Sequence, residues 1–280
     1  MFEFLSWLPA APYRGQPQVI AIILIALGVY FYCLGPLRVR LRLGPPVPRW
    51  RVYCALGAGF VVFLSEGTAL HTLSEVYLFS AHMVQHALLT LFMAPMFILA
   101  IPGWLADWWA DLPVIGPITR FLTRPVVAFA AYNGIYSLWH FPVFYQAPLL
   151  LHWLHVIQHI TMATTALMMW WPLLSPSVKL PRLSYGGQLV YAFGMVLAQL
   201  PVFAPITFAS APIYGFYADA PRVWGISPLE DQQWAGIIMK LTSMAILLLV
   251  IGIAFFRWAK QDGHDAPVAS YEEQTDGRSA

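Results

Sequence analysis

Apolar residues run along the chain in seven long blocks separated by shorter polar or proline-rich stretches. The blocks lie at about 17–35, 52–71, 76–101, 124–141, 150–174, 187–209 and 234–257, and each is long enough to cross a bilayer as a helix. The pattern predicts an all-α, polytopic membrane protein with seven transmembrane helices. It divides the chain into an outer N-terminal segment (1–16), a seven-helix domain (17–258) and a cytoplasmic tail (259–280) whose polar residues, Glu272, Glu273 and Asp276 among them, predict disorder.

Charge gives the expected orientation. If the blocks alternate in direction, Arg38, Arg40, Arg42, Arg49, Arg51, Arg120, Arg124, Lys179, Arg182, Arg257, Lys260 and Arg278 share one side, twelve of the fifteen Lys and Arg residues. Arg14 and Arg222 take the other side and Lys240 lies inside the last block. Basic loops stay in the cytoplasm, so the N-terminus is expected outside and the C-terminus inside. Trp104, Trp108 and Trp109 beside Asp107 and Asp111 read as an interfacial segment at the inner headgroups. The longest outer stretch, 210–233, carries Tyr214, Phe216, Tyr217 and Trp224; it is expected to cover the outer mouth, dock a partner or lie as an aromatic interfacial loop.

Composition narrows the class. With 59% hydrophobic and 10% charged residues the chain is not an ordinary soluble globule, for which about a quarter would be charged. No nucleic-acid partner is signalled. Cys33 and Cys54 form no CxxC and read as packing residues rather than a disulfide or thiolate site. Residues 1–14 lack a basic start and a small-residue cleavage site, so no removable signal peptide is expected.

Against this apolar ground the histidines stand out. The run HWLHVIQHITMATTALMMWWP places His152, His155 and His159 at i, i+3 and i+7, one stripe of a helix, with Met162 close by on the same face. Buried in hydrocarbon, three imidazoles need partners. At about 1.5 Å rise per residue from the outer ends of their blocks, His82 and His86 lie roughly 9 and 15 Å deep, and His155 and His159 roughly 8 and 14 Å. The two pairs match in depth, and His71, His140 and His152 sit at the outer boundary, while His264 lies in the tail.

Both pairs have the i, i+4 spacing by which one helix face offers two nitrogens to a metal ion. His82, His86, His155 and His159 are therefore the expected ligands. Imidazole suits copper, zinc, iron and nickel, whereas thioether sulfur selects Cu(I). Met83 beside His82, Met162 on the face of His155 and His159, and Met93 below His86 tilt the choice toward copper. Glu66 and Lys240 are placed either to form an ion pair near the metal level or each to snorkel to the outer interface. Glu75, on one helix face with His82 and His86, and Asp231, at the outer start of the last block, are placed to attract a cation or orient an imidazole. Asn133, Gln85, Gln158 and Gln199 are expected to hydrogen-bond between helices.

At these residues the chain resembles a known family. HMVQHALLTLFMAP at 82–95, WHFPVFY at 139–145, HVIQHITMATTALMMWWP at 155–172 and DQQWAGIIMK at 231–240 are similar to the CtaG family, the seven-span type associated with assembly of caa3-type cytochrome c oxidase. The likeness covers the membrane region in order, except the termini and the first block. It implies a bacterial inner-membrane factor that helps place copper in a heme-copper oxidase. Oxidase subunits and periplasmic copper carriers are then its partners, alongside the lipid bilayer. It implies too that His82, His86, His140, His155 and His159 match the recurrent histidines, and Asp231 and Gln232 the outer-end motif. Gln158 stands where many relatives carry an acid.

Three functions follow as expectations. The first is a non-enzymatic copper-handling factor in which the four histidines hold the ion, with His71, His140 and His152 as an entry relay. The second is an intramembrane zinc hydrolase with Glu66 or Glu75 as general base, against which stands the lack of an H-E-x-x-H. The third is a haem-binding membrane protein with axial histidines on facing spans.

Overall fold

The computed structural model describes residues 16–265, apart from the side chains of His152 and residues 262–265. The expectations for 1–15, for the tail beyond 265, for the His152 relay and for the side chain of His264 lie outside the described residues.

Among the described residues there are helices and loops and no strand. In chain order the helices are α1 (Pro17–Leu41), α2 (Arg49–Glu66), α3 (Ala69–Val76), α4 (Phe79–Ala100), α5 (Gly103–Asp111), α6 (Ile115–Leu122) and α7 (Pro125–His140). After these come α8 (Pro142–Leu150), α9 (His152–Leu174), α10 (Tyr185–Phe208, interrupted at Gln199), α11 (Gly215–Asp219) and α12 (Pro228–Asp265).

α1, α4, α10 and α12 are each long and apolar enough to cross a membrane, and α2 with α3 makes a further candidate bent by 46°. That gives four or five candidate spans by length and apolarity where the sequence pattern predicts seven. α7 has only 16 residues. α9 has 23 and no Asp, Glu, Lys or Arg, so its histidines and Gln158 are what lower its apolarity.

α4 is the hub. It packs against α2 and α3 on one side, α9 on another and α12 on a third, while α7 and α8 cover α9 and α10 covers α12. α1 touches only α2 strongly and none of its residues is buried. The bend after Glu66 comes where Thr68 caps α3, its hydroxyl accepting from the Leu70 amide at 3.3 Å and donating to the Leu64 carbonyl at 2.7 Å. Because α3 and α4 are separate helices, Glu75 does not share a helix face with His82 and His86, contrary to the expectation from spacing. The break at Tyr77 and Leu78 redirects the chain.

α4 owes its start to a residue far away in sequence. Asp231, at the beginning of α12, accepts the amides of Phe79 at 2.7 Å and Ser80 at 3.1 Å and the Ser80 hydroxyl at 2.5 Å. Those first-turn amides have no partner within a helix, and a carboxylate there also meets the positive end of the helix dipole. Asp231 thus anchors a helix and does not orient an imidazole. Below His86, α4 passes through a π turn, Leu88–Met93. The Thr90 hydroxyl donates back to the His86 carbonyl at 2.7 Å and the Trp170 indole donates to the Thr90 carbonyl at 2.8 Å, two side-chain bonds at this turn.

At the other end, α12 continues as helix to Asp265 rather than stopping at 258, since no proline intervenes before Pro267. The short α5 is pinned by Asp107, which accepts the Ser177 hydroxyl at 2.5 Å and the amides of Val178 and Lys179, both at 3.0 Å.

Candidate metal centre

The direct packing of α4 on α9 puts the two histidine pairs face to face. Ring centroids of His82 and His155 are 6.2 Å apart, those of His86 and His159 5.6 Å, and those of His82 and His159 6.0 Å. Within each helix the i, i+4 partners are closer still, 4.3 Å for His82 and His86 and 4.2 Å for His155 and His159. Three of the four converge: one nitrogen from each of His82, His86 and His159 lies within 4.8 Å of the other two, a spacing that one metal ion can bridge. His155 stands beside this trio without joining it.

Carboxylates set the ring orientations. Nδ1 of His159 lies 3.2 Å from Glu66, and Nδ1 of His155 lies 2.9 Å from Glu75. His71 bridges the two acids, with Nδ1 at 3.3 Å from Glu66 and Nε2 at 3.3 Å from Glu75. A carboxylate on Nδ1 holds the proton there and leaves Nε2 with its lone pair free, which is how metal-binding imidazoles are usually prepared. Nε2 of both His155 and His159 is buried and has no partner in the protein. Nε2 of His82 and Nε2 of His86 face each other at 2.9 Å, and the other nitrogen of each ring, Nδ1, is likewise buried without a partner.

A polar network fixes the acids. Gln85 donates to Glu66 at 2.9 Å and to the Ser65 carbonyl at 3.2 Å, lies 3.1 Å from Nδ1 of His71, and accepts the Ser74 hydroxyl at 2.7 Å. Ser65 donates to Glu66 at 2.9 Å. In this arrangement Glu66 does not pair with Lys240, as spacing had suggested. Lys240 donates to the Val196 carbonyl at 2.8 Å, on the α10 side of α12. Gln158 also departs from expectation: it is fully buried, yet neither side-chain amide atom has a partner. Asn133 donates to the Phe129 carbonyl of its own helix at 2.8 Å and to the Met195 sulfur at 3.3 Å.

His140 closes α7 and belongs to the same cluster, its ring 6.0 Å from that of His86. Its Nδ1 is 2.6 Å from the Tyr136 carbonyl and its Nε2 is buried without a partner. Met83 and Met162 are buried and, with His86, line a small cavity. Met93 does not join them. The π turn between His86 and Met93 changes the helical phase, and Met93 lines a separate apolar cavity of about 280 Å³ between α1, α2 and α4.

Above the histidines the stretch after α10 folds inward. Tyr214 donates to the His140 carbonyl at 2.7 Å, and Tyr217 donates to the Ser74 carbonyl at 2.5 Å while its hydroxyl lies 3.2 Å from that of Tyr145. With Phe79 these rings form a plug, and Tyr145 lies 5.2 Å from His82. Of the aromatic residues in 210–233, Tyr214 and Tyr217 are buried, whereas Phe216 is half-buried and Trp224 exposed. Met239, missed in the sequence, also lines the cavity beside His86. Its signal was the i, i+4, i+8 spacing of Asp231, Ala235 and Met239, all buried.

Comparison with known proteins agrees with the resemblance. The family model described as "Cytochrome c oxidase caa3 assembly factor (Caa3_CtaG)" matches residues 28–261. Uncharacterized proteins of Mycobacterium bovis and Mycobacterium tuberculosis are each 25% identical over 275 residues, and one of Mycobacterium leprae is 24% identical over 265. The alignments cover 90% of this chain for the first two and 88% for the third, but only 39% of each relative, so the chain spans about two fifths of their length. No solved structure matches.

Proposed function

The chain belongs to the cytochrome c oxidase caa3 assembly factor family, and from that premise we propose that it binds copper on His82, His86 and His159 and passes it to a heme-copper oxidase during assembly. His155, held by Glu75, serves as an auxiliary ligand. The observation that carries this reading is the convergence of three imidazole nitrogens within 4.8 Å, with His159 backed by Glu66. The choice of copper rests on the neighbouring thioethers of Met83 and Met162. The role is handling rather than catalysis, in the bacterial inner membrane, with oxidase subunits and periplasmic copper carriers as partners.

Seven crossings, N-terminus out and C-terminus in, complete the proposal. α7 and α9 then cross with the others, their polar faces turned into the bundle, and the one-sided distribution of Lys and Arg supports the orientation.

Two other chemistries fit less well. A zinc hydrolase needs a free general base, whereas Glu66 and Glu75 are both engaged with imidazoles. A haem needs room for a porphyrin between its axial rings, whereas the cavity beside His86 measures about 20 Å³, the size of one water molecule.

The test is elemental analysis with an absorption spectrum on one sample of copper-loaded, purified protein. Copper in the parent and less copper per chain in His86→Ala/His159→Ala is the expected result. Copper binding unchanged in that double variant, or a Soret band in the parent, overturns the reading.

A further inference from the structure

The cavity of about 20 Å³ is lined by His86 but by neither Glu66 nor its network, and its walls differ in chemistry. Three methionines from three helices line it, Met83 on α4, Met162 on α9 and Met239 on α12, with exposures of 0%, 1% and 7%. Methionine is flexible and ordinarily closes gaps of this size. Here the gap persists among three of them. Two imidazoles share the lining, His86 and His140, each 5% exposed and each with one ring nitrogen that has no partner in the protein, Nδ1 of His86 and Nε2 of His140. Buried ring nitrogens are seldom left unpaired, because each then loses its hydration without replacement.

The lining contains no carboxylate. That separates it from the His82, His86 and His159 trio, whose His159 is backed by Glu66. Thr90, Tyr132, Tyr136, Gln199 and Ser243 add neutral polar side chains to the wall, and three thioethers with imidazole, without anionic charge, match a soft monovalent ion rather than a divalent one. His140 also borders a second space, a cleft of about 260 Å³ bounded by Phe141, Pro201, Pro205 and Ile213, where α10 is interrupted near the end of α7. One imidazole, His140, therefore lines both the small cavity and the cleft, and another, His86, lines the cavity and belongs to the trio.

We propose that this cavity is a second copper position, selective for Cu(I), in which His140 and the thioethers of Met83, Met162 and Met239 hold the ion. It forms a step between the histidine trio and the cleft beside α10. The inference rests on the copper reading above and extends it, assigning two positions of different softness joined by His86.

The experiment is an anaerobic Cu(I) titration of the full-length protein in detergent against a chromophoric Cu(I) chelator, with copper X-ray absorption on the loaded samples. The parent is expected to take two Cu(I) per chain and to show sulfur as well as nitrogen scatterers. Met83→Leu/Met239→Leu, a nearly volume-conserving change, is expected to lose one ion and most of the sulfur signal. His159→Ala is expected to lose the other ion and keep the sulfur. A parent with nitrogen and oxygen scatterers only, or a methionine variant that retains both ions, overturns the second position and leaves the trio standing. A sulfur-ligated ion that remains when His159→Ala and parent bind equal amounts overturns the trio instead. A parent that binds no copper removes both. The parent's own spectrum decides the sulfur question even if a variant fails to fold.

Discussion

Glu66 and His159 stand on different helices, and a carboxylate oxygen of one lies 3.2 Å from Nδ1 of the other. The contact ties the end of α2 to the middle of α9 and leaves Nε2 of His159 as the nitrogen open to an ion. Removing such an outer partner typically weakens metal binding by about 10–100-fold. Glu66→Gln is therefore predicted to raise the copper dissociation constant by about that factor while the thermal midpoint changes little. A chelator competition titration checks it; an unchanged affinity would show that the clamp does not matter.

The histidines should not contribute equally. His159 belongs to the converging trio and His155 stands outside it. His159→Ala is predicted to abolish binding at the trio, whereas His155→Ala weakens it by less than the Glu66→Gln change. Equal losses in both variants, measured as copper per chain after desalting, would argue for a four-histidine site instead.

Asp231 holds α4 by accepting two of its first amides and the Ser80 hydroxyl. Loss of an N-terminal cap costs about 0.5–2 kcal/mol, and Asp231→Ala also strands the buried amide of Phe79. Its thermal midpoint in detergent is predicted to fall, with copper affinity falling in step because His82 and His86 ride on α4. Asp231→Asn, which keeps one acceptor oxygen, should recover part of both.

Close packing between α12 and α10 gives a prediction independent of any metal. A methyl group on Gly236 would collide with the Thr207 hydroxyl and lie only 3.2 Å from the Thr207 Cβ. Gly236→Ala is predicted to destabilise the protein by about 1–3 kcal/mol. Adding Thr207→Ala should restore part of the loss, since Thr207 Oγ1 has no partner to give up. A melting series of the three proteins checks it, and strict additivity would refute the proposed clash.

Several features were legible in the chain because they are local. The spacing of His82 and His86, and of His155 and His159, set two imidazoles on one face of each helix, and counting residues from the block ends gave them equal depth. The centroid distances of 6.2 and 5.6 Å across α4 and α9 follow that levelling. Met93 was misplaced because counting at 3.6 residues per turn assumes an unbroken α-helix, and the π turn violates it. Lys240 was paired with Glu66 on depth alone, although it faces α10.

The sequence by itself determined the helical, apolar character of the chain and the stripe that carries each histidine pair. Periodicity reports which residues share a face of their own helix and nothing about which other helix that face meets. Only the tertiary structure decided that α4 lies directly against α9, that Asp231 reaches across from α12 to start α4, and that Glu66 and Glu75 clamp rings on another helix. Those contacts depend on the rotation and bend of each helix, which the packing of the whole bundle sets.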